Sequence, residues 1–329
     1  MILEIAAYIF FGAFFLIFAL VVLFDVLKAR KHNQKYHVRK TITAFLFLLP
    51  AVILAFFFIL LPILFSLGYA FTDAYLLKLD KGFNFVGFKQ FEDVFKELSK
   101  GKSPLMYAVK NTALFVVLVV PIQIGLALGL ALFCSVKLKG RTFFKVCFFV
   151  PVAVSLSVTA YLWLYLLDSS STGMVNSLLG LFGIAPKEYL RDQGVTMVSI
   201  VIVSAWQGCG FQMLIFISAL SGIRKDLYEA ARMDGCNAIQ RFFRVTLPGL
   251  KPTMIYVLIT VFVGACRIII QPWIMVGPQD NAITISYYMY IEGKEYGLIG
   301  YSSAIALLMT LIIGTITFIQ RKLLGGSKN

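Results

Sequence analysis

The side chains that most often carry out chemistry in proteins are scarce in this sequence. It contains two histidines, His32 and His37, which share one basic segment, so we do not expect a histidine-based catalytic centre. Its five cysteines are scattered, with neither the close pairs of a disulfide framework nor the spacing of a zinc site. We therefore predict no metal site, and we expect the cysteines to act as small apolar residues.

The local motifs of common enzymes are absent as well. The sequence contains no G-x-x-x-x-G-K-[ST] phosphate loop, no H-E-x-x-H and no G-x-S-x-G. Ionisable residues are also rare within its long apolar segments, with Arg267 as the exception. We predict no catalytic residues in this chain. We expect the energy or chemistry for its function to come from another polypeptide. An intramembrane enzyme or processing factor is the alternative from another functional class.

The elements that hold these residues are those of a membrane protein. Of the 329 residues, 60% are hydrophobic and 14% are charged, and the mean hydropathy is +0.86. Soluble domains have about 25% charged residues, and a chain with so few charges cannot cover a water-facing surface. The composition therefore argues against soluble enzymes and nucleic-acid-binding proteins, although the net charge is +14.

Seven continuous apolar segments reach the length of about 20 residues that a membrane-spanning helix needs. Because they are long rather than short and alternating, we predict an all-α, polytopic transmembrane helix bundle and not a barrel. Glu4 stands where a signal peptide carries positive charge, so we interpret the first segment as a retained span. The segments lie at about 5–27, 42–71, 107–134, 143–167, 196–220, 253–276 and 298–320.

The charges of the connecting segments predict the orientation. Segments 28–40 and 135–145 carry six and four basic residues and no acid, and 221–252 has six basic residues against three acids. The alternate segments 72–106, 168–195 and 277–297 are nearly balanced or acidic. Basic connections lie on the cytoplasmic side of membranes, so we predict an outside amino terminus and a cytoplasmic carboxyl terminus.

The cytoplasmic segment 221–252 is predicted to form a helix–turn–helix. Gly235 is the expected C-cap of the first helix, and Asn237 is the expected N-cap of a second helix that ends before Pro248. Such a projecting hairpin either docks a partner or lies on the bilayer surface. The first helix has one apolar stripe at i, i+4 and i+8, formed by Ile223, Leu227 and Ala231.

This segment also carries a family resemblance. Glu229-Ala230-Ala231, then Gly235, then Val245-x-Leu247-Pro248 resembles the E-A-A-x3-G-x9-I-x-L-P loop of the membrane subunits of binding-protein-dependent ATP-binding-cassette importers, with Val in place of Ile. Its flanking residues are similar to the carbohydrate branch, in particular the larger permease of the maltose-transporter type. The resemblance covers about residues 42–324. The span at 5–27 is an addition to the usual six, and Val276-Gly277-Pro278 departs from the usual Gly-Gly-Pro.

The resemblance implies a six-helix importer permease core at 42–329, preceded at 1–41 by an extra span and a basic linker. It implies a multi-pass protein of a prokaryotic cell membrane that imports a carbohydrate, in particular an oligosaccharide, by alternating access. The implied partners are a second homologous permease, two ATPase subunits that bind ATP and Mg, and an extracellular solute-binding protein. The residues implied to contact the ATPase are Leu227, Tyr228, Glu229, Ala230, Ala231, Asp234, Gly235, Leu247 and Pro248.

A sugar path needs hydrogen-bonding side chains within otherwise apolar spans. In the fifth span Ser204, Gly208, Phe211 and Gln212 share one helix face, and Gln207 lies beside them. In the sixth span Gly264, Arg267 and Gln271 are spaced at i, i+3 and i+7. Arg267 either binds substrate or has a structural role. An importer of a sugar phosphate such as glycerol 3-phosphate is the alternative within this class.

Overall fold

The computed structural model describes residues 38–136, 140–170, 173–192, 194–279 and 281–325. Its first elements are α1 (Val38–Ala55), a π-turn (Phe56–Leu60), α2 (Leu61–Tyr69), a 3-10 turn (Leu76–Lys81), α3 (Lys89–Ser99), α4 (Pro104–Ser135), α5 (Arg141–Ala153), α6 (Leu156–Leu166), α7 (Met174–Gly180) and α8 (Thr196–Gly222). The rest are α9 (Lys225–Met233), α10 (Ala238–Arg241), a π-turn (Phe242–Thr246), α11 (Leu247–Cys266), α12 (Ile270–Met275), α13 (Ile285–Tyr290), a π-turn (Ile291–Glu295) and α14 (Ile299–Gly325).

The described residues contain five helical stretches that are long and apolar enough to cross a membrane. Taken together, α5 and α6 are also long and apolar enough to cross a membrane, but the pair is bent by 98°. The predicted all-helical membrane bundle is confirmed, whereas the predicted span at 5–27 lies outside the described residues. The five stretches are Phe45–Tyr69, Pro104–Ser135, Thr196–Gly222, Ala238–Cys266 and Ile299–Leu324.

Two predicted spans are not continuous helices. The prediction of one helix over 143–167 is wrong because Val154 is extended and the Ser155 side chain starts a new helix by accepting the amide of Val158 at 3.3 Å. The prediction over 253–276 is wrong because α11 ends at Cys266 and α12 is a separate helix. Pro272 has no amide hydrogen to donate to the carbonyl of Ile268, so a continuous helix would lose a hydrogen bond here.

Side-chain hydroxyls satisfy the carbonyls at this second break. The Ile268 carbonyl accepts from Thr284 Oγ1 at 2.8 Å, and the Cys266 carbonyl accepts from Ser286 Oγ at 3.2 Å. Both hydroxyls are buried and belong to the segment that leads into α13. A break inside an apolar bundle is stable only when such partners replace the missing helical bonds.

The helix α8 lies at the centre of the bundle. Half of its most apolar stretch is buried, against 11% for Phe45–Tyr69. It packs along α4, where Phe115 and Val119 meet Ile200 and Val201 in one buried cluster. The polar residues that α4 and α8 carry near this cluster are therefore held by two closely packed helices.

One end of the bundle, which we call the cap end, is formed by α3 and the segment around α13. The carboxylate of Glu97 in α3 accepts hydrogen bonds from the hydroxyls of Tyr288, at 3.1 Å, and Tyr301. Burial raises the pKa of Tyr288, and the nearby Tyr301, Glu292 and Glu97 add to this effect. Burial also raises the pKa of Glu292. The cluster fastens α3 to the start of α14.

Candidate functional site

A hairpin of residues 223–246 forms the end of the bundle opposite the cap. Its first helix, α9, begins after Arg224, which forms an ion pair with Asp226 in the first turn. The predicted apolar stripe is wrong in part, because Ile223 precedes α9 as the C-cap of α8 and Leu227 is exposed. Of that stripe, Ala231 is the residue that α9 buries.

The turn after α9 is fixed by backbone geometry. Gly235 has a φ of +76°, a left-handed backbone conformation that residues with a Cβ rarely adopt. Its amide donates to the Arg232 carbonyl at 3.0 Å, and the Cys236 amide donates to the Ala231 carbonyl at 2.9 Å. These are the two bonds of a Schellman motif, so the expected glycine cap is present.

The second helix begins at the expected N-cap and continues further than predicted. Asn237 Oδ1 accepts the Gln240 amide at 2.8 Å, and Gln240 Oε1 accepts the Asn237 amide at 2.9 Å, which is a capping box. The prediction that this helix ends before Pro248 is wrong. A π-turn, in which the Leu247 amide donates to the Phe242 carbonyl, joins α10 to α11 as one stretch. The wider turn accommodates a proline that has no amide hydrogen.

The hairpin is joined to the bundle by side-chain contacts. Tyr228 Oη lies 3.0 Å from Thr246 Oγ1, which ties α9 to the base of α11. Ile223 packs closely on Gly249, and a Cβ added at Gly249 would lie 3.0 Å from Ile223 Cδ1. Leu247 is half-buried beside this contact. The side chains that remain exposed on the hairpin and the following turn include Leu227, Glu229, Ala230, Met233, Asp234, Ile239, Phe243 and Pro248.

A cavity of about 350 Å³ lies among α4, α8, α11 and α12. Five of the eight residues that the sequence suggested for a substrate path line this cavity, namely Ser204, Gln212, Gly264, Arg267 and Gln271. They come together although Arg267 is the C-cap of α11 and Gln271 belongs to the separate helix α12. The prediction that Gly264, Arg267 and Gln271 share one helix face is therefore wrong. The three residues line the same cavity because the helix breaks between them.

The structure places the other three suggested residues away from this lining. Gln207 Nε2 donates to the Val154 carbonyl at 3.1 Å and to Thr159 Oγ1 at 3.0 Å, which holds the bend between α5 and α6. Phe211 is 51% exposed on the bundle surface. Gly208 lies against the side chain of Gln123, a residue that the sequence analysis did not single out.

Gln123 is a cavity-lining amide that sequence reasoning missed. It is buried, and its Nε2 donates to Gln212 Oε1 at 3.1 Å across the contact between α4 and α8. The signal for it was an amide side chain in the middle of the apolar run of α4, where a polar group is costly without a partner.

The electrostatic character of the cavity comes from one guanidinium. Arg267 is exposed to the cavity and makes no ion pair among the described residues. The other polar lining groups are the amides and hydroxyls of Gln123, Ser204, Gln212, Thr260 and Gln271. The arrangement offers hydrogen bonds and one positive charge, with no nucleophile–base pair in the lining.

Comparisons with known proteins agree on one kind of protein. A family model described as binding-protein-dependent transport system inner membrane component matches residues 123–327. The chain is 30% identical over 288 residues to the probable ABC transporter permease protein YurN of Bacillus subtilis, covering 85% of this chain and 95% of that one. It is 29% identical to the arabinooligosaccharides transport system permease protein AraP of Bacillus subtilis, over 88% of this chain and 90% of AraP.

A third relative and a solved structure complete the comparison. The lactose transport system permease protein LacF of Rhizobium radiobacter is 30% identical, over 89% of this chain and 96% of LacF. The fold matches a chain in the crystal structure of a bacterial ABC transporter involved in the import of the acidic polysaccharide alginate. The TM-score is 0.75 at 22% identity, and the match covers 89% of this chain and 98% of that one.

Proposed function

The chain belongs to the binding-protein-dependent transport system inner membrane components, and from that premise we propose that it is the carbohydrate-conducting permease subunit of an ATP-driven importer. Its family makes it a transport subunit and not an enzyme. The relatives' names refer to arabino-oligosaccharides and lactose. An oligosaccharide is therefore the proposed substrate.

The observation that carries this proposal is the lining of the cavity. Sugars are rich in hydroxyl groups, and a sugar site needs several convergent donors and acceptors on an otherwise apolar wall. The cavity provides amides, hydroxyls and the Arg267 guanidinium beside Phe115, Val119 and Val261. In the single chain the cavity has a volume of about 350 Å³ and is not fully enclosed. We propose that a second homologous permease completes it.

The hairpin supplies the connection to an energy source. We assign Leu227, Glu229, Ala230, Asp234 and Pro248 to the ATPase contact because they are exposed. Tyr228, Ala231, Gly235 and Leu247 hold the shape and attachment of the same surface. Because the hairpin is fastened to α11, a rigid movement of the hairpin displaces the helix that carries Gly264 and Arg267. ATP and Mg would be bound by two partner ATPases, and an extracellular solute-binding protein would deliver the sugar.

We further propose that the hairpin lies in the cytoplasm and that the amino terminus lies outside. A single cysteine introduced at Lys35, in a background without the five native cysteines, should resist membrane-impermeant thiol reagents in intact cells. A cysteine introduced at Lys294 on the cap end should react and serves as the matched control. Labelling at position 35 from outside would contradict the orientation.

A sugar phosphate is the second candidate substrate, and the exposed guanidinium of Arg267 is the observation that favours it. One guanidinium can bind a phosphate through two parallel hydrogen bonds. Phosphate-binding sites usually provide further donors or positive charges, and among the described lining residues Arg267 is the single cation. The neutral oligosaccharide is therefore preferred.

The test is transport by the assembled complex. The chain should be reconstituted in liposomes with its second permease, ATPase and solute-binding protein, and offered labelled arabinotriose, lactose, maltose and glycerol 3-phosphate. We expect ATP-dependent uptake of one of the three sugars, and no uptake by the chain alone. Uptake of glycerol 3-phosphate without any sugar would favour the second candidate. ATP-driven uptake by the isolated chain would contradict its role as a subunit.

A further inference from the structure

Three residues from two helices form one close-packed polar contact at the wall of the cavity. Gln123 of α4 lies over Gly208 of α8, and a Cβ on that glycine would lie 2.3 Å from Gln123 Nε2. No side chain other than hydrogen fits at position 208 while Gln123 keeps this position. From there Gln123 Nε2 reaches Gln212, one helical turn further along α8, at 3.1 Å.

Counting donors and acceptors shows what this contact leaves free. Gln123 donates one hydrogen to Gln212 Oε1, which occupies the acceptor end of the Gln212 amide. The Gln212 Nε2, with two hydrogens, then has no hydrogen-bond partner among the described residues. Both side chains are about nine-tenths buried, and both line the cavity.

A hydroxyl in the same lining is also unpaired. Ser204 Oγ is buried and has no partner within the described part of the chain. It lies two turns before Gln212 in α8 and lines the same cavity. A buried polar group without a hydrogen-bond partner is unfavourable, so such a lining is suited to receive an oxygen-rich ligand.

We propose that Gln123 is a positioning residue for substrate recognition, which acts by holding the Gln212 amide with its nitrogen toward the cavity. Gly208 is required for this arrangement, because a side chain at position 208 would occupy the space that the Gln123 amide fills. The substrate class is then a ligand that offers oxygen acceptors, such as sugar hydroxyl, ring or glycosidic oxygens. This inference rests on the proposed function, and it reassigns Gly208 from a lining residue to a residue that makes room.

The test uses variants that remove the contact from either side. Gln123→Met keeps the volume and removes the hydrogen bond, so Gln212 loses its fixed orientation. We expect the KM for the sugar that the wild-type complex imports, from arabinotriose, lactose and maltose, to rise about fivefold, with kcat changed less than about twofold. Gln212→Met should raise the KM at least as much. Gln320→Met, the same change in the last span, is the matched control and should leave the KM unchanged.

A double variant separates positioning from general damage. Gly208→Ala pushes Gln123 away and should raise the KM as Gln123→Met does. Gly208→Ala combined with Gln123→Ala, which leaves room for the added Cβ, should be no worse than Gln123→Ala alone, because the two changes remove one shared contact. An unchanged KM in Gln123→Met, with a raised KM in Gln212→Met, would overturn the positioning role. Additive effects in the double variant would also overturn it. If the wild-type complex imports no sugar of the panel, the proposed function fails, and this inference fails with it.

Discussion

The hairpin and the cavity are built in opposite ways. The hairpin is held by bonds between near neighbours in the chain, such as the Gly235 and Asn237 caps, and the side chains that we propose to contact the ATPase are exposed. The cavity is assembled from α4, α8, α11 and α12, and its defining bond joins residues 89 positions apart. The hairpin satisfies its own backbone, whereas the cavity leaves polar side chains unpaired. The proposed ATPase contact and the proposed substrate site therefore depend on different kinds of contact.

Gly235→Pro is the strongest test of the proposal that the hairpin moves as a rigid unit and couples the ATPase to the bundle. Proline fixes φ near about −65° and has no amide hydrogen, so it can neither adopt the observed φ of +76° nor donate to Arg232. We expect ATP-driven uptake to fall about a hundredfold and the ATPase to co-purify poorly. Gly235→Asn is the control, because asparagine tolerates the left-handed conformation, and it should retain most uptake. Full uptake by the proline variant would show that the turn is not part of the coupling.

Reversing one charge on the exposed side should have the next largest effect. Glu229→Lys leaves the caps of the hairpin intact but changes the sign of its proposed ATPase contact. We expect about tenfold weaker ATPase association, measured by co-purification and by sugar-stimulated ATP hydrolysis. Glu295→Lys makes the same change in an exposed residue of the cap end and should behave as wild type. Equally weakened ATPase association in both variants would indicate a nonspecific effect of the added positive charge and would contradict the proposed contact at Glu229.

The cavity side of the comparison is tested with Arg267→Ala. A hydrogen bond to a charged group contributes about 1.5–3 kcal/mol, so loss of a substrate contact should raise the KM about tenfold. Assembly and basal ATP hydrolysis should persist, because Arg267 makes no ion pair among the described residues. Loss of assembly together with uptake would assign Arg267 a structural role, contrary to the proposal.

The smallest expected effect concerns the attachment of the hairpin. Tyr228→Phe removes the hydroxyl that lies 3.0 Å from Thr246 Oγ1. Loss of one neutral hydrogen bond costs about 1 kcal/mol, so we expect faster amide hydrogen exchange in α9 and about a twofold lower ratio of sugar imported to ATP hydrolysed. Tyr256→Phe, on the exposed face of α11, is the control. Unchanged exchange in α9 would show that the hydroxyl contact does not hold the hairpin.

The same contrast explains what could be predicted from the sequence. The caps at Gly235 and Asn237 were predictable because a cap depends on residue types within a few positions. The limits of most spans followed from the length of their apolar runs. The break after Ala153 was missed because the segment stays apolar across the bend. The break after Cys266 was missed because Arg267 was interpreted as a charge inside a continuous span and not as the end of a helix.

The cavity was predictable only residue by residue. Ser204 and Gln212 were found because they interrupt the apolar pattern of α8. Gln123 gives the same signal in α4, but its meaning depends on Gly208, and no local rule relates two residues that are 85 positions apart. Gly208 was suggested as a lining residue, whereas in the structure it lies against Gln123. A missing side chain gives the same sequence signal whether it lines a cavity or makes room for a neighbour.

The two hydroxyl contacts at the end of α11 also bear on how the chain is made. The carbonyls of Cys266 and Ile268 receive their hydrogen bonds from Ser286 and Thr284, which leave the ribosome 16–20 residues later. Until then these two groups have no final partner, and each unsatisfied backbone group in lipid costs several kcal/mol. Insertion of this part of the chain is therefore complete only when Thr284 and Ser286 have been synthesised. A nascent chain that ends before position 284 therefore holds the end of α11 in a less stable state than the finished protein does.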